Sequence, residues 1–197
     1  GGTQGTLQLP GSTGGPNWQG GSIDPETNVV YIYSKDEPAL VSMVKDPKRS
    51  NMDYINGGGS EGGQRLAIDN LPIIRPPWGT ISAIDLNKGE LLWQTVHGET
   101  DDAVKNHPAL KGVTIPRTGR TGRVGVLTTK TLVMAGDGGS ATHPDGRRGG
   151  MFRAYDKKTG KELGAVPLPG PQTGSPMTYL HEGKQYIVVA VSGQGAA

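Results

Sequence analysis

Two stretches of this 197-residue chain, AIDLNKGELLW at 83 to 93 and AYDKKTGKELG at 154 to 164, share one pattern: Ala, any residue, Asp, three residues, Gly. This repetition constrains the fold more than any other feature of the sequence. Side chains alternate in ISAID and FRAYD, so Ile81, Ala83 and Asp85 share one face of a strand, as do Phe152, Ala154 and Asp156. Polar residues and a Gly able to take positive φ follow each Asp, which is the chemistry of a β-hairpin bend. A lone hairpin cannot bury its own faces, so one that recurs at a fixed place in a longer unit predicts stacked sheets, as in a propeller or solenoid. Asp85 and Asp156, each just before a bend, are read as turn formers whose carboxylates accept from the turn's own amides, not as catalytic carboxylates.

Other β-type runs surround the pair: NVVYIYS at 28 to 34, KTLVMAG at 130 to 136 and QYIVVAVS at 185 to 192, with no long helical period to compete. Together they predict an all-β chain of four-stranded antiparallel units. The first covers about 15–97 with a long insertion at 35–77, the second covers 122–167, and 174–197 starts a third that lacks its last hairpin. The two Asp positions recur at about 70 residues, against roughly 40 to 45 for a compact blade. Insertions at 35–77, 98–123 and 137–150 hold the excess, and loops this long are expected to be functional lids or disordered.

Composition excludes several classes of function. Twenty basic against 18 acidic residues leave a formal charge of +2, with no basic stripe for a nucleic acid. Thirty-three glycines and 15 prolines interleave with the β-type runs and so read as dense turns. No Cys is present, which removes disulfide and thiol chemistry and leaves the redox compartment open. The longest apolar run, YIVVAV, is too short to span a bilayer as a helix. His97, His107, His143 and His181 show no metal-ligand spacing, GDGG and RRGG lack the Lys and Ser of a phosphate loop, and no Gly-x-Ser-x-Gly elbow occurs. A chain that starts without Met and ends in GQGAA is expected to be an internal fragment or a processed product.

The pattern Ala83-x-Asp85-x-x-x-Gly89-x-x-x-Trp93 resembles the tryptophan-docking repeat of the pyrroloquinoline quinone (PQQ)-dependent dehydrogenases, which are eight-bladed β-propellers. In that family the Trp of one blade packs on its neighbour; the second copy departs from this at Gly164. GGPNWQGGSIDPETNVVYIYS, NHPALKGVTIPRTGRTG and GSPMTYLHEGKQYIVVAVSG are similar to further segments of the alcohol and sugar dehydrogenases, in the same order. The resemblance spans nearly the whole chain and points to the C-terminal part of a propeller.

It implies oxidation of an alcohol or aldose: a carboxylate deprotonates the hydroxyl while hydride passes to PQQ, which a calcium ion polarises. The family's catalytic Asp and calcium ligands map upstream of Gly1, so no catalytic or metal residue is expected in this chain. The candidate cofactor contacts are Asn17, Trp18 and Arg123. Asn17 matches a cofactor-contacting Asn. Arg123 stands near the place of a Trp that TGRVGVLTT lacks, where its guanidinium can meet a cofactor carboxylate. A turn Asn, a blade-core Trp and a solvated loop Arg are the plain alternatives. The expected partners are a sugar or alcohol, an unspecified electron acceptor and the remaining blades; the expected location is the periplasm or the outer face of the inner membrane. A non-catalytic propeller of PQQ-like repeats, acting as a protein-binding scaffold, and a carbohydrate-binding propeller are the competing readings.

Overall fold

The structure is a computed structural model and describes residues 5–11, 13–17, 19–57, 66–143 and 145–192. Strand β1 (Thr6–Gln8) precedes β2 (Gly21–Asp24) and β3 (Val29–Lys35). The short strands β4 (Ala39–Val41), β5 (Met43–Val44), β6 (Ile55–Asn56), β7 (Ala67–Ile68) and β8 (Leu71–Pro72) fill the segment before β9 (Gly79–Asp85) and β10 (Glu90–Val96). One helical turn, α1 (Asp102–Lys105), and a 3-10 turn (Pro108–Leu110) follow. Then come β11 (Leu127–Thr128), β12 (Leu132–Gly136), β13 (Ala141–Thr142), β14 (Arg148–Asp156) and β15 (Glu162–Leu168), and finally the hairpin β16 (Met177–His181) and β17 (Lys184–Val188).

The strands pair as an antiparallel meander, β2-β3-β9-β10 in the first sheet and β11-β12-β14-β15 in the second, with β13 paired to the start of β14. Because each strand reverses its predecessor, the tight bends 25–28, 86–89 and 157–160 all lie at one end of the sheets. All the long loops lie at the other. The described part of the first insertion carries short strands: β4 pairs with β1, and β5-β6 and β7-β8 form two-residue ladders. His107, which opens the 3-10 turn by accepting from Ala109 N–H, turns its Nε2 to the Asp69 carbonyl and so ties the first insertion to the second. Among the described residues no helix is long and apolar enough to cross a membrane.

Alternation builds the core between the two sheets. Val29, Tyr31 and Tyr33 of β3, with Ile81 and Ala83 of β9, form one wall; Val124, Val126, Val133, Ala135 and Tyr155 form the other. Each large apolar side chain removed from water in this way stabilises the fold by about 1.5–3 kcal/mol. The outer strands carry a β-bulge at equivalent places, so Trp93 stands opposite Ala83 as Gly164 stands opposite Ala154.

Trp93 closes the joint from the first sheet onto the second. Its ring packs against the core and sits 5.7 Å from that of Tyr31. Its indole N–H donates to the Lys157 carbonyl at 3.1 Å, and the Tyr31 hydroxyl donates to the same oxygen at 3.3 Å. Gly160, in the bend of the second sheet, holds φ at +69°, and a Cβ there would fall 2.5 Å from Trp93 Cε3. Turn and docking therefore demand the same glycine. A second clasp lies beside it: Lys157 Nζ reaches the buried Asp24 carboxylate at 2.7 Å. That bond, with those from Thr27 Oγ1 and Glu26 N–H, holds Asp24 below the usual carboxylate range. At Gly164 an added Cβ would meet no atom within 4 Å.

The two repeated Asp residues hold their bends. Asp85 accepts from Asn87 N–H at 2.8 Å, and Asp156 accepts from Thr159 Oγ1, Thr159 N–H and Lys158 N–H at 2.8, 2.8 and 3.0 Å. The Thr159 hydroxyl and amide lower the pKa of Asp156.

Candidate functional site

The loop end of the sheets encloses a cleft of about 560 Å³. Its lining comes from equivalent places in three successive units. Residues just before the first strand contribute Gln19 in the first unit, Thr121 to Arg123 in the second and Pro171 to Thr173 in the third. Residues at or just after the end of the second strand contribute Lys35 and Glu37, Gly138 and Ser192 in the same order. The three approaches converge: Ser175 Oγ donates to the Gln19 carbonyl at 3.0 Å, and a Cβ on Gly125 would lie 2.6 Å from Ser175 Cα. Equivalent positions meeting at one point mark the axis about which the units stack.

Arg123 brings its charge to this cleft, is exposed, and makes no hydrogen bond or ion pair among the described residues. Lys35 is buried and its ammonium is held by Glu37 at 2.6 Å. Gln19 Oε1 is buried with no hydrogen-bond partner among the described residues. Asn17 lies at the edge, outside the lining, in a turn where its Nδ2 donates to the Thr13 carbonyl at 3.1 Å and its own carbonyl accepts from Gly20 at 2.8 Å. Trp18 lies outside the described residues. The structure thus brings Arg123 into the cleft and sets Asn17 in the turn that leads to it.

Beneath the cleft lies a buried polar layer with no counterpart in the motif reading. The peptide of Gly136, at the end of β12, is held from both sides. Its carbonyl accepts from His97 Nε2 at 3.0 Å, and its N–H donates to Gln172 Oε1. Since a carbonyl only accepts, His97 carries its proton on Nε2, and its Nδ1 accepts from the Tyr155 hydroxyl at 2.8 Å. Burial lowers the pKa of His97 against the pull of nearby Asp137, so the ring is neutral. Burial also raises the Tyr155 and Tyr33 hydroxyls well above the ordinary phenol value.

Next to Gly136, Asp137 forms a two-point pair with the buried Arg153, at 2.8 Å to Nε and 3.2 Å to Nη2. Arg153 also meets Glu99 at 2.9 Å and Glu162 at 3.0 Å, and Glu162 is shared with Arg117 at 2.6 Å. Burial works against the charge of Arg153, but the carboxylates of Asp137 and Glu162 outweigh it and raise its pKa. Arg120, also buried, pairs with Asp101 at 2.8 Å, while its carbonyl accepts from the Tyr33 hydroxyl at 2.6 Å. These pairs anchor the loop after β10 to the second sheet, immediately under the cleft.

Four-stranded antiparallel sheets stacked about an axial cleft define the chain as β-propeller blades. Residues 2–187 match the family described as PQQ: Glucose/ethanol/alcohol dehydrogenase, beta-propeller domain, and the chain belongs to that family. It is 31% identical to a probable quinate dehydrogenase (quinone) of Xanthomonas campestris pv. juglandis, over 98% of this chain and 25% of that protein. It is 28% identical to quinoprotein glucose dehydrogenase A of Acinetobacter calcoaceticus, over 98% of this chain and 24% of that protein. Among solved structures it resembles the quinohemoprotein alcohol dehydrogenase ADHIIG from Pseudomonas putida HK5, with TM-score 0.61 and 23% identity over 98% of this chain and 24% of that one. The chain spans about a quarter of the length of the curated relatives it matches.

The cleft fits a PQQ-sized ligand, since pockets of roughly 300–1,000 Å³ hold small cofactors. An uncommitted guanidinium at Arg123 and the orphaned Gln19 Oε1 suit a flat, carboxylate-bearing, hydrogen-bonding ring system. Among the described residues no group of three or more His, Cys, Asp or Glu could hold a metal ion.

Proposed function

We propose that the chain is the C-terminal portion of a longer quinoprotein dehydrogenase that oxidises an alcohol or aldose sugar, with its cleft forming part of the wall around PQQ. Family membership supports the class of chemistry, and the convergence of three units on a cleft bearing Arg123 is the observation that carries the assignment of the site. When bound, PQQ supplies the oxidant. The residues of this chain bind and orient: Arg123 holds a carboxylate of the ring system, and Gln19, Thr121 and Thr173 belong to the surrounding wall. Asn17 is assigned to the cofactor wall through the turn it forms ahead of Gln19. The general base and the calcium ligands are assigned to the rest of the protein, so the 197-residue chain alone should not turn over substrate. An exported protein, acting in the periplasm or at the outer face of the inner membrane and passing electrons to a quinone or cytochrome, completes the proposal.

The test is reconstitution of the full-length protein with PQQ and calcium, read as dye-linked oxidation across a panel of aldoses and alcohols and as a PQQ titration followed by fluorescence. A charge-assisted hydrogen bond is worth about 1.5–3 kcal/mol, so Arg123→Ala should weaken PQQ binding by about tenfold or more without shifting the melting temperature. No PQQ binding and no turnover on any substrate would instead favour the scaffold reading.

A further inference from the structure

Gln172 is buried, and every polar atom of its side chain is committed to a different piece of backbone. Its Nε2 donates to the Gly125 carbonyl at 2.8 Å and to the Gly174 carbonyl at 2.7 Å, while its Oε1 accepts from Gly136 N–H. Its own backbone N–H donates to the Asp137 carbonyl at 2.9 Å. Gly125 leads into the first strand of the second unit, Gly136 ends that unit's second strand, and Gly174 leads into the third unit. One side chain therefore sets the spacing of three backbone segments that border the cleft. On the far side of the Gly136 peptide, His97 of the first unit holds the carbonyl. A Cβ at Gly136 would lie 2.7 Å from Gln172 Oε1, so a side chain in the strand would push this bridge apart.

We infer that Gln172 is a positioning residue for the ligand of the axial cleft: it fixes the distance between the second and third units and with it the placement of Arg123, Gly138 and Thr173 around the bound molecule. This rests on the reading of the cleft as the PQQ wall. A side-chain amide suits the task because it offers two donors and an acceptor in one rigid plane, which no hydroxyl or apolar side chain can match. An unpaired carbonyl or N–H left behind in this buried layer would draw in water or shift its strand, and either change alters the cleft.

The experiment uses the full-length protein and PQQ itself as the probe. Gln172→Leu, similar in volume but with no polar atoms, removes all three side-chain bonds. Gln172→Glu keeps an acceptor for Gly136 and loses donors to Gly125 and Gly174. Trp93→Phe, at the opposite end of the joint, lowers stability without touching the cleft. We expect the dissociation constant for PQQ to rise at least tenfold in Gln172→Leu and by a smaller factor in Gln172→Glu, with Trp93→Phe within twofold of wild type. If Gln172→Leu does not fold, Gln172→Glu decides. Wild-type affinity in a folded Gln172 variant would overturn the inference, as would an equal loss in Trp93→Phe, because the effect would then be general loosening. A wild-type protein that does not take up PQQ at all would overturn the functional reading, and this inference with it.

Discussion

The docking of Trp93 on Gly160 predicts a specific failure of additivity. Trp93→Ala removes a hydrogen bond to the Lys157 carbonyl worth about 1 kcal/mol net and a ring contact with Tyr31 of about 1 kcal/mol. It also exposes on the order of 100 Å² of apolar surface, worth ~2.5 kcal/mol at ~25 cal/mol per Å². These contributions overlap, and a loss of about 3 kcal/mol is expected for a half-buried Trp. Gly160→Ala has two costs: about 1–2 kcal/mol for an L-residue at φ +69°, and about 1–3 kcal/mol more because the new Cβ collides with the indole. With Trp93→Ala already in place the collision partner is gone, so the double variant should be more stable than the sum of the singles by ~2 kcal/mol. Gly89→Ala is the matched control: its φ is +70° and, beyond its chain neighbours, no atom of the described residues lies within 4 Å of the added Cβ, so only backbone strain should appear. Urea unfolding followed by far-UV circular dichroism, compared at constant m, measures all four. Additivity of Trp93→Ala and Gly160→Ala to within about 0.5 kcal/mol would refute the docking geometry.

Two further perturbations probe the layer beneath the cleft. Arg153→Met strands the almost fully buried Asp137 carboxylate, and breaking such a pair costs about 3–5 kcal/mol, which Asp137→Asn in the same chain should partly restore. Equal stability of Arg153→Met and wild type in urea would contradict the network. His97 is neutral when folded and its pKa lies below the ordinary histidine value. Its contribution is therefore complete above about pH 6.5 and declines as pH falls below that, because the unfolded chain then binds the proton first. The melting temperature should drop between pH 7 and 5.5 with a slope that His97→Phe reduces; identical slopes would show that His97 binds its proton equally well in the folded and the unfolded chain.

How much of this was legible in advance depended on the range of the interaction. Strand β9, Gly79–Asp85, contains the ISAID alternation and ends at the Asp before the bend, because alternation and bend chemistry are local. The turn roles of Asp85 and Asp156 follow from bonds two or three residues away. The folded ladders of the first insertion were not legible. Two-residue strands carry too little pattern, and β4 gains its partner from β1, more than 30 residues upstream. His97 and Gln172 belong to no motif, and Arg153 sits on the face of FRAYD that alternation alone does not mark; each is a single polar residue with partners up to 58 residues distant. Their roles arise only when two sheets close over them and leave no water to satisfy the backbone.

The residue order alone determined that the chain is all-β, that its unit repeats, and that a Trp in one copy and a Gly in the other stand at the same place after the bend, because these are consequences of periodicity and local hydrogen bonding. Only the tertiary structure decided that Trp93 seats on Gly160, that the approaches of three units meet in one cleft, and that Arg123 stands in it while Asn17 holds the turn beside it. Those facts depend on where distant segments come to rest, and that is set by packing and by the requirement that every buried polar group find a partner.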